Sequence, residues 1–316
     1  MPQRSEQGRK DACVSMVITC YNQARYLSES IESVFSQGYS NLQVTVIDDG
    51  SKDHPQSEVT KYPSVHFIQQ HNQGVSVARN RGVQESDGEL LVFLDADDRL
   101  LAGAIQTGVD SFTQNPGLGF VFGKGILIDA AGLPLPEPYQ PPLKNAGYLE
   151  LLQHNPIPFP ALVMHKRSVV EAVGGFRSLV GKAFIGNTAD YDLYLRIASS
   201  YPIHFHGAKV AEWRQHSTNT SRNSLMMLKS CMRVLNAQSE KVRDDPQLNK
   251  ALKLGKDQVG RYYSEQLIEE LRAEFRERNL SLGRLTESIL ALLTYHPSAF
   301  AENAFGKFRK LVARSK

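Results

Sequence analysis

Leu90-Leu91-Val92-Phe93-Leu94-Asp95-Ala96-Asp97-Asp98 is an apolar run that breaks off into three carboxylates. A short continuous apolar run bounded by turn residues reads as a strand buried on both faces. In open α/β sheets, ligands bind just beyond the carboxyl ends of the strands. Acids at i and i+2 on extended backbone point the same way. Clustered like charges cost energy unless something offsets them, and a divalent cation does so. Hard oxygen donors favour Mg²⁺ or Mn²⁺, which keep waters and take further oxygens from substrate phosphates. The plainer alternative is a loop in which Asp97 or Asp98 caps the next helix.

Around this stretch, residues 14–125 alternate short apolar runs with helical patterns. The expected strands are Val14–Thr19, Leu42–Ile47, Val65–Gln69 and Leu90–Leu94, with a fifth near Gly119–Phe122. Between them, Ala24–Gln37, Pro55–Lys61, Val75–Glu85 and Leu100–Gln114 read as helices. Strand–helix alternation argues an α/β fold with a mostly parallel central sheet. Gly132–Pro142 carries Pro134, Pro136, Pro138, Pro141 and Pro142, which exclude a regular helix or a central strand. It reads as an extended loop beside a cleft. Residues 147–215 mix short helices and strands. From Ser224 the pattern turns helical: Leu225–Val242, Asn249–Arg278, Leu282–Tyr295 and Ser298–Arg314.

Composition excludes several classes. The 316 residues are 41% hydrophobic and 22% charged, which is globular. Three cysteines, Cys13, Cys20 and Cys231, make neither a disulfide framework nor a CxxC zinc site. They fit a reducing compartment. No apolar run approaches the roughly 18–20 residues that span a bilayer. No signal-peptide pattern opens the chain, so a cytosolic location is expected. Residues 298–316 hold five basic groups against one acid, so the other 297 residues sum to −1. The main body is therefore no nucleic-acid surface.

Other motifs sit at the expected strand ends. Thr19-Cys20-Tyr21-Asn22 offers an aromatic to stack on a base, or an Asn to cap a helix. Asp48-Asp49-Gly50-Ser51 offers an acceptor for a base N–H or ribose hydroxyl, and is also turn chemistry. Arg79, inside a helix after the third strand, suits a nucleotide better than a buried face, and by itself the segment reads more plainly as a solvated arginine. His204 and His206 alternate along a strand and read as structural.

Taken in order, these motifs resemble the inverting family 2 glycosyltransferases, which share the nucleotide-sugar-binding GT-A fold. The matching segments are Val17–Asn22, Ser33-Val34-Phe35-Ser36-Gln37, Asp48–Ser51, Asn72–Gly82 and Asp95-Ala96-Asp97. Gly174-Gly175-Phe176 is similar to the family's loop near the sugar. Ala189-Asp190-Tyr191-Asp192-Leu193-Tyr194-Leu195-Arg196 looks like its Glu-Asp-Tyr-Asp segment, with Ala189 replacing the usual Glu. Arg214-Gln215-His216 looks like its Arg-x-His segment.

The resemblance implies a metal-dependent inverting transfer from a nucleotide diphosphate sugar to a hydroxyl. It makes Asp190 the catalytic base, although a helix-start role suits that residue too. Asp97 and His216 become ligands of Mn²⁺ or Mg²⁺. Thr19, Tyr21, Asp49, Arg79 and Asp95 become nucleotide-binding residues. UDP-sugars are the default donor, and thymidine presents the same base edge. The acceptor is a glycan or a lipid-linked glycan, in surface polysaccharide or glycolipid assembly.

Two rivals differ in kind. A nucleotidyltransferase would carry a Gly-rich phosphate loop, and neither Gly-x-Gly-x-x-Gly nor a Walker pattern is present. A non-catalytic sugar-nucleotide-binding protein finds support only in Ala189.

The expected organisation is a flexible N-terminal arm at 1–13, a GT-A glycosyltransferase domain at 14–223 and a helical C-terminal appendage at 224–316. Phe300, Ala304, Phe308 and Leu311 share one helical face, with Lys307, Arg309, Lys310, Arg314 and Lys316 outside it. That helix either docks on the appendage or makes a peripheral contact with an anionic membrane surface.

Overall fold

The computed structural model describes residues 12–136, 143, 146–177 and 188–297. The N-terminal arm up to residue 11, the proline-rich residues 137–142 and the basic segment 298–316 lie outside the described residues.

The first strand, β1 (Val14–Cys20), is buried along its whole length. Helix α1 (Ala24–Phe35) then buries Ala24, Leu27, Ile31 and Val34, spaced three or four apart on one face. Strand β2 (Leu42–Asp48), the short α2 (Gln56–Val59), β3 (Val65–Gln69), α3 (Val75–Gln84) and β4 (Leu90–Asp95) complete the first half. After β5 (Arg99–Leu100) come α4 (Ala104–Gln114) and β6 (Phe120–Ile128). Then follow α5 (Tyr148–Gln153), β7 (Val163–Lys166), α6 (Arg167–Ala172), α7 (Ala189–Ala198) and β8 (Ile203–Arg214). The second strand–helix pairing is shorter than the sequence reading, because Pro55 and Thr60 flank a single turn.

Among the described residues, eight strands form one sheet in the order β3-β2-β1-β4-β7-β6-β8-β5. The β3-β2-β1-β4 half is wholly parallel. The short β7 runs antiparallel to both β4 and β6, and β5 runs antiparallel to β8. The chain leaves β1 toward β2 and β3, then returns to its other side as β4. That reversal is a topological switch point, where a crevice opens at the carboxyl ends of the strands. Register places Thr19 beside Asp95 and Cys20 beside Asp48 at that edge.

The chain divides into two compact units. Residues 1–147, 157–178 and 193–216 belong to the first, which holds the sheet, and 148–156, 179–192 and 217–316 to the second. The second unit is built on α8 (Ser224–Ala237), α9 (Pro246–Arg276) and α10 (Leu282–Tyr295). Leu225, Leu228, Met232, Leu267, Ala291 and Leu292 form its core. Asp245 caps α9 through Gln247 N and Leu248 N, with Pro246 pre-set at its first turn. A Cβ at Gly255 would lie 1.9 Å from the Leu152 carbonyl oxygen, so α9 and α5 approach backbone to backbone there. Among the described residues, no helix is long and apolar enough to cross a membrane.

The core of the first unit holds an imidazole. His165 is fully buried among Phe93, Phe120 and Tyr194, with ring centroids 5.6–5.8 Å away. Neither ring nitrogen has a hydrogen-bond partner. Burial, aided by the nearby Arg79 charge, pushes its pKa down to about 3. The unfolded chain thus takes up a proton below pH ~6.5 that the folded chain refuses. Stability is complete above that pH and declines as pH falls toward 3. Between pH 7 and 5 this group alone costs about 2 kcal/mol. His165→Phe keeps the ring packing and removes the proton. Its urea midpoint should fall less than the wild type's over that pH range, and an unchanged difference would exclude His165 as the source.

Candidate active site

The crevice at the switch point is lined by strand ends. Thr19, at the end of β1, donates its hydroxyl to Asp95 Oδ1 at 2.9 Å. Arg79, on α3, donates Nη2 to the same oxygen at 2.9 Å. The arginine is buried, and its guanidinium carbon lies 5.4 Å from the Phe176 ring centroid. A charge so deep needs a paired partner, and Asp95 is that partner. Tyr21, just past β1, is 48% exposed and presents an open aromatic face.

Asp49 follows β2 and is buried. Its Oδ1 accepts from Gln70 Nε2 at 2.7 Å and from Gln73 N at 3.0 Å. Its Oδ2 accepts from Gly74 N at 2.8 Å, at the start of α3. A carboxylate offers about four acceptor positions, so one more donor can be taken. Asn22 does not cap α1. It adopts φ 55° and accepts from Lys52 N at 2.8 Å, while Asp53 Oδ2 takes Ala24 N at 2.8 Å. The cap of the first helix therefore comes from the turn after the second strand, which ties the two strand ends together.

The residues after β4 are held by pairing rather than capping. Arg99 pairs with Glu212 in the β5–β8 ladder, so Asp97 and Asp98 run beside Arg214. Asp98 is fully buried and accepts from Arg214 N at 3.0 Å. Burial, and then the charges of Asp97 and Asp95, push its carboxyl well above the usual range. The helix α4 starts at Ala104 behind Gly103, with no side-chain cap.

Just beyond β8, His216 Nε2 lies 2.8 Å from Asp97 Oδ2. Both side chains are largely buried, at 3% and 14% exposure. The His216 ring stacks on Tyr26 of α1, with centroids 5.5 Å apart and planes at 20°. Two ligands at neighbouring corners of an octahedron with ~2.1 Å bonds stand about 3 Å apart. The Asp97–His216 spacing fits such a cation. Among the described residues no cluster of three or more metal-binding side chains occurs. The remaining positions would fall to water and phosphate, as Mg²⁺ and Mn²⁺ favour.

Several positioning contacts had no role assigned from sequence. Asn80 Nδ2 donates to the Phe176 carbonyl at 2.7 Å, and Phe176 N donates back to Asn80 Oδ1 at 2.8 Å. Arg196 Nη1 and Nη2 donate to the Val173 and Gly175 carbonyls at 2.6 and 2.7 Å. The Gly-Gly-Phe loop is thus clamped from α3 and α7. A Cβ at Gly175, where φ is +64°, would lie 2.7 Å from Asn80 Oδ1. At the other end of the site, Ser33 Oγ accepts from Leu100 N at 3.0 Å, and Gln37 Nε2 donates to Leu101 O at 3.0 Å. The end of α1 therefore grips the backbone just after the acidic triplet. The signal was a set of polar residues at fixed places in otherwise amphipathic helices.

Asp190 lies in the second unit, in the first turn of α7, and is 8% exposed. Its Oδ1 accepts from Tyr191 N at 2.8 Å. Tyr191 donates its hydroxyl to Leu151 O at 2.5 Å. Cys231 is buried near this charge, and burial, with Asp190 adding, pushes its thiol up to about 12. His206, on β8, has its imidazole pushed down to about 4 by burial and accepts from Ala208 N, a structural role.

Comparison with known proteins bears on the family and the fold. The family model described as "Glycosyl transferase family 2" matches residues 15–174. An uncharacterized glycosyltransferase of Rickettsia conorii is 30% identical over 219 residues, 66% of this chain and 35% of that protein. Chondroitin synthase of Escherichia coli is 29% identical over 217 residues, 67% of this chain and 30% of that protein. The chain thus spans about a third of the length of these curated relatives. Among solved structures, S. aureus TarS 1–349 in complex with UDP-GlcNAc superposes with TM-score 0.63 at 15% identity, covering 90% of this chain and 80% of that one. The mannosyltransferase PcManGT of Pyrobaculum calidifontis, with GDP-Man and Mn²⁺, gives 0.58 at 18% identity, covering 95% and 89%. With its mostly parallel sheet, its acidic triplet at the switch point and a family match over half its length, the chain belongs to glycosyl transferase family 2.

Proposed function

We propose that the chain moves a sugar from a nucleotide diphosphate sugar, by default a UDP-sugar, to an acceptor hydroxyl, with inversion and with a divalent cation. The observation that carries this reading is the Asp97–His216 pair just past the carboxyl end of β4, the strand whose last residue, Asp95, is held by Thr19 and Arg79. The nucleotide-sugar complexes of the structural neighbours support the donor class.

In this reading Tyr21 stacks on the base, and the remaining acceptor position of Asp49 takes the ring N–H of uracil. Thr19 and Arg79 hold Asp95 by Oδ1, so a ribose hydroxyl falls to Oδ2. Asp97 and His216 would hold Mn²⁺ or Mg²⁺, which would supply positive charge beside the leaving diphosphate. Asp190 accepts the proton of the acceptor hydroxyl. The bond from that oxygen to C1 forms as the bond from C1 to the diphosphate oxygen breaks. One displacement from the opposite face inverts C1. Asp190 is assigned on its motif, and Ala189 leaves it without the adjacent Glu of the family pattern.

The acceptor in this reading is a glycan or lipid-linked glycan of surface polysaccharide or glycolipid assembly, reached from the cytosol. Residues 14–223 form the transferase domain and 224–316 its appendage. Residues 298–316 remain a candidate for contact with the inner face of a membrane.

A panel of nucleotide sugars, screened by thermal shift with and without Mn²⁺, tests the donor assignment. A true donor at 100 times its Kd stabilises by about 2.7 kcal/mol. A UDP-sugar should raise the melting temperature only with Mn²⁺. A response confined to guanosine or adenosine diphosphate sugars would overturn the uridine assignment.

A further inference from the structure

We infer that Arg214, with Tyr26 and Glu29 of α1, is the positioning unit that fixes Asp97 and His216 for the cation; this rests on the function proposed above. Arg214 is the largest fully buried side chain of the described residues, at 1% exposure. It donates Nε to the backbone carbonyl of Asp97 itself at 2.8 Å. Its Nη1 reaches the Ala130 carbonyl at 3.2 Å, and its Nη2 reaches Glu29 Oε2 at 2.7 Å. Its backbone N–H meets Asp98 Oδ1 at 3.0 Å.

The same guanidinium lies 4.6 Å from the centroid of the Tyr26 ring. That ring is the one stacked on His216. Arg214 therefore touches both halves of the pair: the main chain of Asp97 directly, and the imidazole of His216 through Tyr26. Glu29 completes the unit and also accepts from Arg99 Nη1 at 3.1 Å.

Chemistry argues against a filler role. A buried guanidinium costs several kcal/mol unless its charge and donors are used. An apolar residue would fill this space at less cost. Only a planar fork can place one N–H on a carbonyl, another on a carboxylate and its face near a ring. A lysine supplies a single point charge and can satisfy Glu29 alone. Residues that orient metal ligands from behind typically carry about 10–100-fold in metal affinity.

The test is calorimetric titration of Mn²⁺ into the full chain with saturating UDP, on wild type, Asp97→Ala, Arg214→Lys, Tyr26→Leu and Arg261→Lys. Arg214→Lys keeps the charge beside Glu29 and should weaken Mn²⁺ binding by about 10–100-fold. Excess Mn²⁺ should restore UDP affinity in Arg214→Lys, which a merely structural defect would not allow. Tyr26→Leu, which leaves the arginine in place, should weaken Mn²⁺ through His216 alone and covers the case in which Arg214→Lys does not fold. Arg261→Lys alters only the exposed pair with Asp257 on α9, and should bind Mn²⁺ as the wild type does. Wild-type Mn²⁺ affinity in folded Arg214→Lys or in Tyr26→Leu overturns the positioning role, provided Asp97→Ala has lost it. If the wild type itself shows no Mn²⁺-dependent UDP binding, the functional reading falls instead.

Discussion

Asp190→Asn should lower turnover by about 10²–10⁴ while donor affinity stays near the wild-type value. The substitution keeps the shape of the side chain and one carbonyl-like acceptor for Tyr191 N, so the first turn of α7 should survive. What it removes is the capacity to take a proton. The nucleotide contacts proposed for Tyr21, Asp49 and Asp95 are separate side chains, so calorimetric UDP binding should be unaffected. Initial rates at saturating donor and acceptor check the prediction. Near-normal transfer by Asp190→Asn would move the base to Asp192, two residues on in the same turn, and would break the motif match around Ala189.

Asp97→Ala should abolish the Mn²⁺ dependence of nucleotide binding. Its loss should exceed the roughly 10–100-fold effect of altering a residue that only supports a ligand. The backbone of Asp97 stays anchored by Arg214 Nε, and Asp98 keeps its bond from Arg214 N, so the fold around β5 should persist. The melting temperature in chelator should therefore be close to that of the wild type. His216→Ala should act in the same direction and less strongly, since Asp97 and the phosphate oxygens remain. Calorimetry of UDP with and without Mn²⁺ separates the cases. An Asp97→Ala protein that keeps its Mn²⁺ response would remove this carboxylate from the metal site.

The strand-end motifs were legible because they combine two strong local signals. Leu90–Leu94 is apolar without interruption, and it is followed at once by charge. Such a break marks a buried strand leaving a sheet edge, and the strand is found at Leu90–Asp95. Helix α10 was read at its observed limits, Leu282–Tyr295, because its apolar spacing is strong and Ser281 caps Arg284 N. The short β7 was harder. Four residues between two helical turns carry little period, and its place between β4 and β6 depends on partners far away in sequence.

The site shows the same division. The acidic and aromatic motifs at the strand ends, and their order along the chain, could be read from sequence. Their supports could not. Arg79 reads as a nucleotide contact, and its guanidinium also donates to Asp95, 16 residues away. Asn22 looked like a helix cap, yet the cap is Asp53. Arg214 stood in a motif with no role of its own until it was seen under Asp97.

What the sequence by itself determined was therefore the strand–helix alternation, the acidic edge of the sheet and the family-specific order of motifs. These follow from local hydrophobic period and from chemistry carried within a few residues. Only the tertiary structure decided which buried charges pair, which loop each polar helix residue clamps and how Asp97 meets His216 across 119 positions. Those outcomes depend on strand register and on the cost of leaving a buried polar group unpaired. Both are set by residues far apart along the chain, and no local pattern encodes them.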